Sequence, residues 1–256
     1  MAIIIKTKEE IEILREGGKR LATVLHKVKE KVAPGVSTHE LDQYALKLIK
    51  DMGDSPAFLN YRPAGARTPF PASLCVSVND EVVHGIPNPN RILEEGDIVA
   101  IDLGLKHNGM FTDMAMTFPV GKVSPASLKL METTEKALEV GINAAHGGDR
   151  VGDIGYAIEQ FVKPHKYGIV EVLSGHGVGK AIHEDPYVPN FGRPGKGEKL
   201  IPGMVIAIEP MLNNGTKNVI LEDDGYTFRT ADGKKSAHFE HTVLITDGEP
   251  EILTKI

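Results

Sequence analysis

"IDLGLKHNGMFTDMAMTF", residues 101–118, sets two aspartates, Asp102 and Asp113, among residues that otherwise belong inside a sheet. Asn108-Gly109 in its middle is a strong two-residue hairpin signal, because both central positions of a type I′ turn need positive φ. With that turn, His107 faces Met110, Gly104 faces Asp113 and Asp102 faces Ala115. Pairing across a hairpin conserves parity, so both aspartates share one face, as diagonal neighbours roughly 7–8 Å apart at the backbone. Ile101, Leu103, Met114 and Met116 leave no wet face for them, while Gly104 and Ala115 are small enough to leave space beside them. A carboxylate removed from water without compensation is costly, so a buried pair either neutralises or finds a cation.

Outward from the hairpin, the chain repeats itself. "EGDIVAID", ending in Asp102, and "PGMVIAIE", ending in Glu209, each place a glycine and an apolar strand before an acid, and "HGIP" at His84 and "HGVG" at His176 precede them. Before the first copy, an amphipathic helix is expected over Lys8 to Val32, then a second with a Ser37 to Glu40 capping box and a Gly53 stop. After Gly121 come a helix with Ser124 as N-cap and Pro125 at its first position, another around "GDIGYAIEQFV", and the strand-like runs "GIVEVL", "GMVIAIEPML", "KNVILE" and "SAHFEHTVLIT". This pattern reads as an α+β fold. One domain over 1–256 is expected, built from two pseudo-symmetric helix-helix-sheet halves, about 1–120 and 121–256, whose sheets meet in a central antiparallel sheet with the acids at the seam.

Composition narrows the function. The 256 residues are 41% hydrophobic and 25% charged, enough for a sizeable core, and the net charge of −6 argues against a nucleic-acid coat protein. Cys75 is the sole cysteine, which leaves no disulfide framework or cysteine-based zinc site and suits a reducing compartment. The apolar start "MAIIIKTKEE" is too short for a signal peptide and no later run spans a membrane, so a soluble cytoplasmic protein is expected, monomeric by default. Lys19, Arg20, Lys27, Lys29 and Lys31 on the first helix read first as a solvated face and second as a transient contact with the ribosome.

Glu209 and Glu240 are, like the two aspartates, single acids inside apolar runs. Four buried carboxylates cannot all ionise together without cations, and two divalent ions would neutralise them. His176, with glycines on both sides, is the most plausible nitrogen ligand, although a turn histidine explains that setting equally well. Oxygen-rich coordination with one imidazole suits Mn, Fe, Co or catalytic Zn, and two such ions roughly 3.5–4 Å apart sharing a hydroxide make a hydrolytic centre. His84 and His183 are left to stabilise an oxyanion and pass protons, against the alternatives of packed or surface histidines. His107, His146 and His165 carry no assigned role, and His238 and His241 flank Glu240 as candidate supports.

The order Asp102, Asp113, His176, Glu209, Glu240, set in "HGIP", "GHGVG", "IEP" and "FEHT", resembles the methionine aminopeptidases of the pita-bread fold, from "PGVST" to "EHTVLIT". The short span from His176 to Glu209 leaves no room for a helical insertion, so the likeness is to type I. The resemblance implies a dinuclear metal centre on those five residues, with a metal-bridging hydroxide attacking the peptide carbonyl to remove the initiator methionine of nascent proteins when the second residue is small. It further implies that Glu209 shuttles a proton, that His84 and His183 contact substrate, that Cys75, Phe70, Tyr61 and Tyr226 line the methionine pocket, and that Asn79, Glu81 and Ser236 hold a monovalent cation. Departures from the family pattern are the longer loop "NYRPAGARTPFPAS", residues 60–73, and Ile182 in place of an aromatic before His183. X-Pro peptidases of the same fold share the five ligands and are the nearest alternative. A partner-binding relative that has lost its metal is a more distant one.

Overall fold

Thr7 accepts from the Glu10 backbone N–H while the Glu10 side chain returns to the Thr7 backbone, and this reciprocal cap starts the first helix, α1 (Lys8–Lys29). Ser37 and Glu40 do the same for α2 (Thr38–Asp51), and Ser124 caps α3 (Pro125–Asn143), whose proline occupies a position where no backbone donor is needed. The fourth helix, α4, is Val151–Val162. The computed structural model describes residues 3–63 and 65–256, so Met1 and Ala2 of the apolar start and Ala64 of the 60–73 loop lie outside the described residues. α1 ends at Lys29, one turn before Val32, which still packs against the core beyond the helix.

The strands are β1 (Ser55–Pro56), β2 (Cys75–Val78), β3 (Glu81–Val83), β4 (Ile98–His107), β5 (Met110–Pro119), β6 (Gly168–Ile169), β7 (Gly175–Gly177) and β8 (Glu184–Val188). β9 (Val205–Ile208), β10 (Met211–Asn213), β11 (Val219–Leu221), β12 (Phe228–Thr230), β13 (Ser236–His238), β14 (Glu240–Leu244) and β15 (Glu251–Ile252) complete the described set. The nine-stranded sheet runs β1-β4-β5-β14-β9-β7-β8, with β2 also on β4 and β15 also on β14. Its neighbouring pairs are antiparallel. α1 and α2 cover the β4–β5 side with Leu21, Leu25, Leu41 and Ile49, and α3 and α4 cover the β9–β14 side with Leu130, Leu138, Ile154 and Ile158.

The opening hairpin has the expected register: His107 pairs with Met110, Gly104 with Asp113 and Asp102 with Ala115. Asn108 and Gly109 take φ of 46° and 87°, the left-handed conformations that such a turn requires.

Four readings need correction. "GMVIAIEPML" is not one strand: it breaks at Glu209-Pro210, β9 staying in the large sheet while β10 joins β13 and β6. Proline cannot donate to a ladder, so the sheet ends where Pro210 enters. "SAHFEHTVLIT" breaks opposite, at Phe239, and β13 and β14 diverge in the same way. "GIVEVL" forms only the two-residue β6, with Val172 exposed beyond it. The match of "HGIP" to "HGVG" does not hold in space, because His176 lies within β7 whereas His84 follows β3 with φ 60°.

Candidate metal centre

Ala115 of β5 pairs with Asp102 of β4 on one side and with Glu240 of β14 on the other. Directly opposed residues in antiparallel strands point to the same face, so the two acids flank Ala115 in one row, with Asp113 two residues along that face. His176 enters from β7, and Glu209 projects from the break after β9. The sheets part at Glu209-Pro210 and Phe239, which leaves these side chains facing space rather than another layer. That space is a cavity of about 140 Å³ whose walls include Asp102, Asp113, His176, Glu209 and Glu240 together with His84 and His183.

Ligand atoms of Asp113, His176 and Glu240 lie within 4.8 Å of one another. His176 Nε2 is 3.5 Å from Glu209 Oε1 and 3.9 Å from Asp113 Oδ2. Its Nδ1 sits 2.9 Å from the Gly177 carbonyl, a contact that places the ring proton on Nδ1 and turns the Nε2 lone pair towards the acids. Asp102 Oδ1 and Glu240 Oε1 are buried without any hydrogen-bond partner. Orphaned buried oxygens beside a lone pair require a proton or a cation, and four carboxylates with one imidazole are the donor set of a hard or borderline divalent metal.

Burial first, and then the neighbouring carboxylates, raise the pKa values of Asp102, Glu209 and Glu240 well above the usual range. Asp113 is raised mainly by burial, against a hydrogen bond from the Met114 N–H. Burial pulls His176 down to about 3 and His84 down to about 4. His183, packed on one side and open to the cavity mouth on the other, is pulled the same way.

The apolar end of the cavity contains Tyr61, Phe70, Cys75 and Tyr226, with Cys75 paired to Asp102 across β2 and β4. Phe70 and Tyr226 meet edge to face at 5.2 Å, and the Tyr226 hydroxyl donates to the Thr68 carbonyl, tying the 60–73 loop to the pocket wall. Phe58 and Pro63 also line the cavity and were not singled out from sequence; "AFLNYRP" offers only a pre-loop aromatic as a signal. Gly104 does not leave space for an ion, because a Cβ there would come within 2.8 Å of Ala57 and Phe58, so the glycine admits the Phe58 wall.

Asn79 and Ser236 meet through their backbones, and Glu81 turns back on Val78. The Ser236 N–H donates to the Asn79 carbonyl at 2.8 Å, and Glu81 Oε2 accepts from the Val78 N–H at 2.7 Å. The Asn79 side chain itself is bound to Asp97 and to the Ile98 N–H. His238, fully buried, has Nε2 3.5 Å from Glu209 Oε2.

The model of metallopeptidase family M24 matches residues 12–247. Methionine aminopeptidase 1 of Bacillus subtilis is 46% identical over 254 residues, covering 99% of this chain and 100% of the relative. The crystal structure of methionine aminopeptidase from Thermotoga maritima superposes with a TM-score of 0.94 at 39% identity, covering 100% of both chains. The prolidase of Pyrococcus furiosus superposes at 0.77 and 27% identity, and this chain spans 66% of it.

Proposed function

The chain belongs to the methionine aminopeptidases of metallopeptidase family M24, and from that premise we propose that it releases the initiator methionine of nascent proteins with a small second residue, at a centre of two divalent ions. The observation that carries this reading is the row of orphaned acids at one end of a cavity whose other end is apolar. Asp102, Asp113, His176, Glu209 and Glu240 would hold the metal. When bound, it supplies Lewis-acid polarisation of the carbonyl and lowers the pKa of water.

The chain's own groups do the rest. Phe58, Phe70, Cys75 and Tyr226 take the methionine side chain and exclude water. Glu209, within 3.5 Å of both His176 Nε2 and His238 Nε2 at the break after β9, passes a proton towards the leaving amine as the C–N bond breaks. His183 and His84, neutral at working pH, contact the peptide bond from the cavity mouth. A bulky second residue would be pressed against the acids and excluded.

The whole of 1–256 works as one catalytic unit, as a cytoplasmic monomer. No helix among the described residues is long and apolar enough to cross a membrane. Mn, Fe, Co and Zn all accept the donor set, and availability decides among them. Asn79, Glu81 and Ser236 add a monovalent cation site. Ribosome contact would fall to Lys19 and Lys27, since Lys29 and Lys31 lie over the rings of Phe118 and Tyr44 at 5.7 and 5.4 Å. Ribosome co-sedimentation unchanged by reversing Lys19 and Lys27 would remove that contact.

The decisive experiment is cleavage of Met-Ala-Ser, Met-Leu-Ser and Ala-Pro-Ser with and without chelator. Metal-dependent release from Met-Ala-Ser alone is expected. Efficient release from Ala-Pro-Ser would make the protein an X-Pro peptidase, and full activity after chelation would end the metallopeptidase reading.

A further inference from the structure

Tyr61 stands where the apolar wall reaches the histidines. Its hydroxyl lies 2.8 Å from His183 Nδ1, with ring centres 5.2 Å apart and planes tilted by 49°. On another side the His183 ring meets that of His176 at 4.4 Å and 71°. The imidazole is thus held in one orientation with Nδ1 committed. Among the described residues Nε2 has no hydrogen-bond partner, so it is the nitrogen left for a substrate.

A neutral imidazole carries one N–H and one lone pair, and the partner at one nitrogen decides what the other can do. At neutral pH a phenol is protonated and an imidazole is mostly neutral. The phenol has a hydrogen to give, and His183 is its one hydrogen-bond partner among the described residues. Donation into Nδ1 leaves the ring proton on Nε2. The reverse arrangement would leave the phenol hydrogen without a protein acceptor and present a bare lone pair to the cavity.

We infer that Tyr61 is a positioning residue whose hydroxyl holds His183 in the Nε2–H tautomer, so that this nitrogen donates to the oxygen of the scissile carbonyl. The tautomer rests on the contact together with the phenol's having no other acceptor among the described residues, and only the identity of the oxygen rests on the aminopeptidase reading.

Tyr61→Phe keeps the ring in the wall and removes only the hydroxyl. Two-bond proton–nitrogen correlation spectra of metal-free, ¹⁵N-histidine-labelled protein at neutral pH read the tautomer directly. The native protein should show His183 Nε2 protonated and Nδ1 bare, and the variant should show the two nitrogens averaging. In the metal-loaded enzyme, kcat on Met-Ala-Ser should fall about 3- to 10-fold, the worth of one hydrogen bond, with KM moving less. A native His183 protonated at Nδ1, an unchanged pattern in Tyr61→Phe, or a loss confined to KM would each overturn the assignment. The spectra need no metal or turnover, so they decide the role of Tyr61 even if native protein fails to cleave Met-Ala-Ser.

Discussion

Asp102 and Glu240 flank the same residue, Ala115, in register across three strands. Neither buried oxygen that they leave unpartnered has a donor within the protein. The fold therefore holds these acids together at a cost that a cation would relieve. Asp102→Asn and Glu209→Gln should lose bound metal and lower turnover of Met-Ala-Ser by at least about 100-fold, beyond the loss typical of groups that merely support ligands. Circular dichroism should remain native. Near-normal turnover with normal metal content in either variant would remove that residue from the ligand set.

Raised carboxyl pKa values have a sign that can be checked. A buried acid whose pKa is raised on folding contributes stability that is complete below about pH 4 and is lost as the pH climbs through the raised value. Asp102, Asp113, Glu209 and Glu240 all shift in this direction, while the buried histidines lie low and are already neutral above pH 6. Metal binding must then expel protons from the acids. The gain in Tm on loading with Mn over the chelated protein should grow from pH 6 to pH 8, and calorimetry in buffers of different ionisation heat should show net proton release. A gain that shrinks with rising pH would contradict it.

The sequence carried the hairpin because two local rules, the Asn108-Gly109 turn and strand parity, decide the whole register without any distant contact. It carried the candidate acids for a related reason, since a lone charge in an apolar run stands out wherever the run goes. The kink at Glu209 was less legible: the apolar pattern continues through it, and only Pro210 hints that the strand changes sheet. Contacts that join remote segments left no pattern at all. Tyr61 and His183 are 122 residues apart, and Lys6 and Glu184 are 178 apart.

Lys6 and Glu184 form an ion pair at 2.5 Å with side chains 1% and 5% exposed. Glu184 also accepts from the backbone N–H groups of Lys180 and Ala181, closing the turn that carries His183. Breaking one side of such a pair leaves a buried charge alone, so Lys6→Met should cost about 3–5 kcal/mol in urea unfolding. Adding Glu184→Gln, which keeps an acceptor oxygen, should recover part of that loss. A Lys6→Met protein as stable as native would show that the Glu184 charge does not depend on Lys6.

Gly104 decides how near Phe58 can stand to Asp113, its partner across the hairpin. A methyl group there would meet Ala57 Cβ and the Phe58 ring at 2.8 Å and Ile182 Cδ1 at 3.1 Å, and the Phe58 ring has the cavity to move into. Gly104→Ala should therefore push Phe58 into the cavity, costing about 1–3 kcal/mol by overpacking. Because the displaced wall is the apolar one, KM for Met-Ala-Ser should rise while metal affinity measured by calorimetry stays native. If metal affinity fell and KM held, the small residue at 104 would be serving the acids after all, and the wall would be formed without Phe58.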